Sequence, residues 1–159
     1  MILKSEVEKE KRIMRPICMA HVPLLALIDE KCFASDLCWS ADLFRSVLET
    51  GGWGEFLMLA EMPIGFYLCR SVAGETEILT LGILPEFQGK GLGKYLMESL
   101  FKGAKSYKAE EIFLEVEESN FAARRLYQNS GFKILGRRAD YYGKGRDAFV
   151  MGFRPVWPE

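Results

Sequence analysis

The run Gln88-Gly89-Lys90-Gly91-Leu92-Gly93 puts three glycines in six positions, and it is the strongest local hint of chemistry in the chain. Glycine lets the backbone turn tightly and bring its N–H groups close to a ligand. An apolar stretch read as a strand, Thr76 to Leu84, precedes the run, and a helical pattern with Leu96, Leu100 and Ala104 follows it. Amides at such a helix start, with the positive end of the helix dipole, suit a pyrophosphate. No Lys-Ser/Thr pair follows Gly93, so this is no Walker loop, and no acidic ribose partner stands about twenty residues on. Taken alone, the same glycines also fit a plain turn.

A second set of residues lies downstream. Phe113-Leu114-Glu115-Val116 reads as a strand, followed by Ser119-Asn120 and a short helix from Phe121 to Asn129. Alternation puts Ile112, Leu114 and Val116 on one face and Glu115 on the other. A carboxylate flanked by hydrophobes in a strand is costly unless it has a partner or a job. Glu117 shares its face, so a solvated strand edge is the competing reading. Tyr127 lies one turn after Ala123 on an inward stripe, where an ordinary core aromatic is the competing reading to a functional one.

The elements that would position these groups are legible along the chain. Arg12 to Ile17 reads as a first strand. Ala20 to Phe33 reads as a helix with an apolar stripe of Leu24, Leu27, Ile28 and Cys32, and Ala34 to Trp39 as a loop. Ser40 caps a second helix that Gly51-Gly52 ends. Phe56 to Ala60 and Ile64 to Val72 form a hairpin through Met62-Pro63. Gly131 stops the helix over 121–129, and strands over Phe132 to Arg137 and Ala148 to Phe153 finish the chain around a polar loop. The order β-α-α-β-β-β-α-β-α-β-β predicts an α/β protein with a mixed sheet of about 6–7 strands and helices on both faces.

Composition narrows the function classes. The 159 residues fit one domain, expected over 12–159 after a charged lead-in over 1–11. Hydrophobic residues make up 49% and charged residues 27%, the balance of a soluble globular protein. No run approaches the roughly 20 apolar residues of a membrane helix, and the lead-in has no signal-peptide core, so the expectation is the cytoplasm. A net charge of −1 offers no basic field for nucleic acid. Cys18, Cys32, Cys38 and Cys69 form no C-x-x-C pair and are expected to be reduced and mostly buried, with no metal site. His21, the single histidine, is expected to cap a helix or lie at the surface.

These motifs together resemble those of the GNAT superfamily of N-acetyltransferases. Gln88-x-x-Gly91-x-Gly93 after a strand is similar to its motif A. Leu114-Glu115-Val116-x-x-x-Asn120-x-x-Ala123-x-x-Leu126-Tyr127-x-x-x-Gly131-Phe132 is similar to its motif B. Cys38-Trp39-Ser40, Leu-Glu-Val and Tyr141-Tyr142 resemble the bacterial ribosomal-protein-alanine (RimI) type, although that type commonly carries Pro where Cys38 stands.

The resemblance implies acetyl-CoA as cosubstrate. Its pantetheine arm would pair with Leu81, Gly82 and Ile83, its pyrophosphate would lie on Gln88, Gly89, Lys90, Gly91, Leu92, Gly93 and Lys94, and Asn120 would reach it while capping the next helix. A strand glycine such as Gly82 can mark a bulge or close backbone approach. The resemblance further implies Glu115 as general base, directly or through a water, and Tyr127 as the acid that protonates the leaving thiolate. Trp39, Tyr141 and Tyr142 would wall the acceptor site. An α-amine, with a pKa of about 7.7–8.0, needs a milder base than a lysine at about 10.4. The expected acceptor is therefore a protein N-terminus such as that of a ribosomal protein. A small-molecule amine acetyltransferase and a non-catalytic acetyl-CoA-binding module stay open at this point.

Overall fold

The computed structural model describes residues 11–158, so all but Lys11 of the expected lead-in lies outside the described residues. Within them run β1 (Arg12–Pro16), α1 (Val22–Cys32), α2 (Ala41–Glu49), β2 (Trp53–Leu59), β3 (Met62–Val72), β4 (Glu75–Ile83) and α3 (Leu92–Ser106). β5 (Glu111–Glu117), α4 (Phe121–Asn129), β6 (Lys133–Arg138) and β7 (Ala148–Phe153) follow. Single 3-10 turns, Met19–His21 and Pro85–Phe87, lead into α1 and towards the glycine run. The strand order is β1-β2-β3-β4-β5-β7-β6. β4 and β5 pair in parallel, while β1–β2, β2–β3, β5–β7 and β6–β7 are antiparallel. This is the mixed α/β sheet expected from the order of elements. No described helix is long and apolar enough to cross a membrane.

The chain groups into two compact units. The first takes the chain to Arg70 together with Leu79–Leu100; the second takes Ser71–Ile78 and the chain from Phe101. In the first unit, Ser40 caps α2 as expected, its hydroxyl accepting the Leu43 amide at 3.1 Å. His21 also acts as a cap, its Nδ1 accepting the Cys18 amide at 3.0 Å. The buried face of α1 is set by Val22, Leu25, Ile28 and Asp29, not by the expected stripe. Leu24 and Leu27 are 38% and 51% exposed. Only Ile28 is common to both sets, and the buried face includes Asp29, which an apolar stripe does not reveal.

The β2–β3 turn falls at Ala60-Glu61, with Ala60 at φ +52°, not at Met62-Pro63. Pro63 lies inside β3, opposite Met58 where the register slips by a bulge, a position that tolerates a missing N–H. Of the cysteines only Cys69 is buried; Cys18 is exposed and Cys32 and Cys38 are half-buried, which corrects the expectation of mostly buried thiols. One carboxylate, Glu55 of β2, ties together β3 and α3. Tyr67 Oη and Ser99 Oγ both donate to Glu55 Oε1, the latter at 2.6 Å. Burial and that carboxylate push the Tyr67 phenol well above its ordinary range. The helix that opens after the glycine run is thus anchored near its middle.

In the second unit, Ile112, Leu114 and Val116 form the buried face of β5. Phe101, Phe132 and Phe153 cluster with ring centroids 5.3–6.2 Å apart. Gly131 ends α4 at φ +101°, and a Cβ there would sit 2.8 Å from the Phe153 ring. Both the backbone sign and the clash oppose a side chain. Gly131→Ala is therefore expected to lower stability by about 1–3 kcal/mol, read as a shifted urea midpoint at unchanged slope.

Candidate active site

In the first unit the glycine run forms an open turn at the start of α3. Gly89 and Gly91 have φ of +73° and +78°, and a Cβ on either would meet no atom within 4 Å. Glycine here answers to backbone conformation, and the space above it is free. Among the described residues, no protein acceptor engages the amides of Gly89 to Gly93. Those of Leu92 and Gly93 are first-turn amides of a 15-residue helix. Free amides, glycine conformation and a helix start are together what a pyrophosphate requires. The polar side chains of the run serve the turn itself: Gln88 Nε2 donates to the Ile83 carbonyl at 2.9 Å, and Lys90 Nζ to the Glu86 carbonyl at 2.7 Å.

Gly82 is a point of close approach, as a strand glycine can mark. A Cβ there would lie 3.1 Å from Cys32 Cβ and Sγ and 3.2 Å from the Phe66 ring. The close approach is that of α1 and β3 side chains onto β4. Trp39 is held at both its main chain and its ring. Its amide donates to Asp29 Oδ2 at 2.7 Å, and its ring leans on Phe44 at 5.1 Å. Cys38, standing where proline was expected, points its thiol at the carbonyls of Ala34 and Phe33 at 3.3 and 3.4 Å. It closes the loop by hydrogen bonds instead of by a rigid ring.

The second unit holds the carboxylate and the tyrosines. Glu115 leaves β5 on the face opposite Leu114 and Val116, its side chain only 12% exposed, with Arg138 of β6 at 3.4 Å. Tyr127 is buried in α4, its ring 5.7 Å from Phe132. Asn120 caps α4, accepting the Ala123 amide at 3.2 Å. The loop after β6 is fixed by its own polar groups. Asp147 Oδ1 accepts the Asp140 amide at 2.9 Å, Asp140 Oδ1 accepts the Gly145 amide at 2.6 Å, and Arg146 grips both Glu117 oxygens at 2.8 and 3.0 Å.

That frame separates the two tyrosines. Tyr142 turns inward and donates to the Glu115 carbonyl at 3.2 Å, and burial pushes its phenol up to about 12. Tyr141 stays exposed, edge-on to Tyr142 at 5.0 Å and under the Arg138 guanidinium at 5.6 Å. Of the pair, Tyr142 braces the strand that carries Glu115, and Tyr141 is the exposed one. Arg138 and Asp29 were not among the expected site residues. Arg138 had no sequence signal beyond an arginine pair, and Asp29 was hidden by the phase of α1.

Comparisons with known proteins give the family and the fold. A family model described as Acetyltransferase (GNAT) family matches residues 25–132. The [ribosomal protein bS18]-alanine N-acetyltransferase of Haemophilus influenzae is 41% identical over 91 residues, 55% of this chain and 62% of that one. The match thus spans less than two thirds of that relative's length. An N-alpha-acetyltransferase of Sulfolobus acidocaldarius is 33% identical over 152 residues, 92% of this chain and 86% of its own. The crystal structure of the ribosomal-protein-S18-alanine N-acetyltransferase from Escherichia coli superposes with a TM-score of 0.84 at 24% identity, covering 94% of this chain and 97% of that one, so the fold is shared.

Proposed function

The chain belongs to the acetyltransferase (GNAT) family, and on that premise we propose that residues 12–159 are one acetyl-CoA-dependent N-acetyltransferase domain whose acceptor is the free α-amine of a protein N-terminus. The observation that carries the cosubstrate is the open Gly89–Gly93 turn with its unengaged amides at the start of α3. The acceptor reading is supported by the names of the relatives, which act on a ribosomal-protein alanine or on N-termini. A ribosomal-protein acceptor would put the enzyme in the cytoplasm. In this reading Leu81, Gly82 and Ile83 offer backbone to the pantetheine arm, and Gln88 to Lys94 hold the pyrophosphate. Glu115 takes the amine proton and Tyr127 returns one to the thiolate. Trp39 and Tyr141 are each assigned to contacts with the acceptor.

A polycationic small-molecule acceptor would call for unengaged carboxylates in the acceptor loops. Asp42 is instead paired with Arg45 at 2.6 Å, and Asp140 is used within its own loop. The deciding experiment offers the enzyme and acetyl-CoA two six-residue peptides beginning with Ala. One has a free N-terminus; the other is blocked and carries an internal lysine. Mass spectrometry is expected to find the acetyl group on the free terminus, and preference for the lysine would overturn the acceptor assignment.

The cosubstrate assignment has its own test. Gly91→Ala meets nothing in the protein, so its folding cost is that of a left-handed residue, roughly 1–2 kcal/mol. The added methyl group stands where a pyrophosphate must approach backbone. Acetyl-CoA affinity by calorimetry is expected to fall about tenfold or more, a loss of about 1.4 kcal/mol. Unchanged affinity in the folded variant would remove the turn from the site.

A further inference from the structure

Asp29 is the only charged side chain that is fully buried among the described residues, and nothing in the proposed acetyl transfer uses it. Its Oδ2 accepts the Trp39 amide at 2.7 Å, while Oδ1 has no hydrogen-bond partner among the described residues. Its main-chain carbonyl lies 3.8 Å from the Cys38 thiol, so backbone and side chain of one residue hold both ends of the Cys38-Trp39 pair. One helical turn further along α1, Cys32 packs against Gly82, one of the β4 residues that offer backbone to the pantetheine arm in the reading above. Asp29 therefore fixes the Trp39 loop to the same helix that touches the cosubstrate strand. An asparagine would offer Trp39 the same acceptor without burying a charge. A half-satisfied buried carboxylate weakens the fold, and groups of that kind are concentrated where function needs them.

We propose that Asp29 is a positioning residue of the acceptor site: its carboxylate clamps the Phe33–Ser40 loop through the Trp39 amide, and so sets the indole wall against which the acceptor's first residues bind. The proposal rests on the acceptor reading above. The clamp strengthens with ionisation, since an anionic oxygen accepts a hydrogen bond more strongly than a neutral one. Burial raises the Asp29 carboxyl to about 6, its ionisation opposed further by Glu30. The other titratable groups around it are Cys32 on its own helix and Cys38 on the loop, with Glu86 and Asp36 beyond them. The clamp is thus strongest well above pH 6 and weakens as pH falls through that value. Stability runs the other way. The folded state holds this proton more tightly than the unfolded chain, so the group's contribution to stability declines as pH rises from about 4 to 6.

The test uses Asp29→Asn and Asp29→Ala in the full chain. Asp29→Asn is expected to keep or raise the melting temperature at pH 7.5, to raise KM for the acceptor peptide about tenfold, and to leave KM for acetyl-CoA within twofold. The ratio of variant to wild-type acceptor KM cancels the amine's own titration, and it should fall towards one at pH 5. Trp39 fluorescence, isolated by subtracting a Trp39→Phe variant, should titrate near pH 6 in the wild type and not in Asp29→Asn. Asp29→Ala should show the acceptor defect more strongly. A lowered melting temperature in Asp29→Asn with unchanged acceptor KM would make Asp29 a structural residue and overturn the proposal, as would the absence of the fluorescence step. If the wild type transfers acetyl to some other amine, the acceptor reading fails by itself, and the Asp29 comparison is made on that amine. Should it transfer to none, the fluorescence step decides whether the clamp exists.

Discussion

Replacing Tyr127 with Phe is expected to lower kcat by a factor of about 10²–10⁴, the usual worth of a positioned acid, with KM for acetyl-CoA nearly unchanged. The ring packs 5.7 Å from Phe132 inside an aromatic cluster, and Phe keeps that contact. The fold should therefore survive, and what is lost is the hydroxyl alone. A phenol near pKa 10 donates to a thiolate near 8.5 only where the developing thiolate is poorly solvated. The hydroxyl thus matters as the carbon–sulfur bond breaks, not when the cosubstrate binds, which is why the loss belongs in kcat. A loss below about threefold would return Tyr127 to the core and place the acid elsewhere. The same variant with an acetyl donor whose thiol is more acidic should recover part of the rate, since a better leaving group has less need of a proton.

What could be read in the sequence depended on whether a residue's reason lay beside it. Ser40, Asn120 and Gly131 act within a few residues of themselves, as caps and as a left-handed stop, and each does in the structure what its spacing implied. The face of β5 that buries Leu114 and turns Glu115 away follows from alternation alone. The glycine run was legible for the same reason: Gly89 and Gly91 have positive φ in open space.

Where the reason was a distant contact, the sequence misled. Gly82 marks a close approach, as a strand glycine can, but that its neighbours are Cys32 and Phe66 is not legible from the strand itself. Leu24 and Leu27 have helical spacing yet are 38% and 51% exposed, while Asp29, a residue type usually at the surface, is buried on the inner face of α1. Tyr142 looks like the twin of Tyr141 until its hydroxyl is found on the Glu115 carbonyl. Each of these three depends on a partner more than twenty residues away or on a loop whose course no local rule sets.

Glu115→Gln should lose a factor of about 10²–10⁴ in kcat at pH 7 on a free N-terminal peptide, and that loss should shrink as pH rises through about 8. The amide fills the carboxylate's place, so β5 and its neighbours keep their packing. Arg138, left without its 3.4 Å partner, is exposed enough for the cost to folding to be small. What the amide cannot do is take a proton. Below the pKa of an α-amine, about 7.7–8.0, the acceptor arrives mostly as an ammonium and needs a base before it can attack. Above that value most of it arrives neutral and the need falls. The pH at which the variant recovers therefore reports the acceptor. A lysine side chain, near 10.4, would keep the loss in place across the whole range from pH 7 to 9.5. A loss on the free N-terminal peptide that does not change with pH would mean that Glu115 is not relieving the ammonium of its proton. Its pairing with Arg138 would then be its main task.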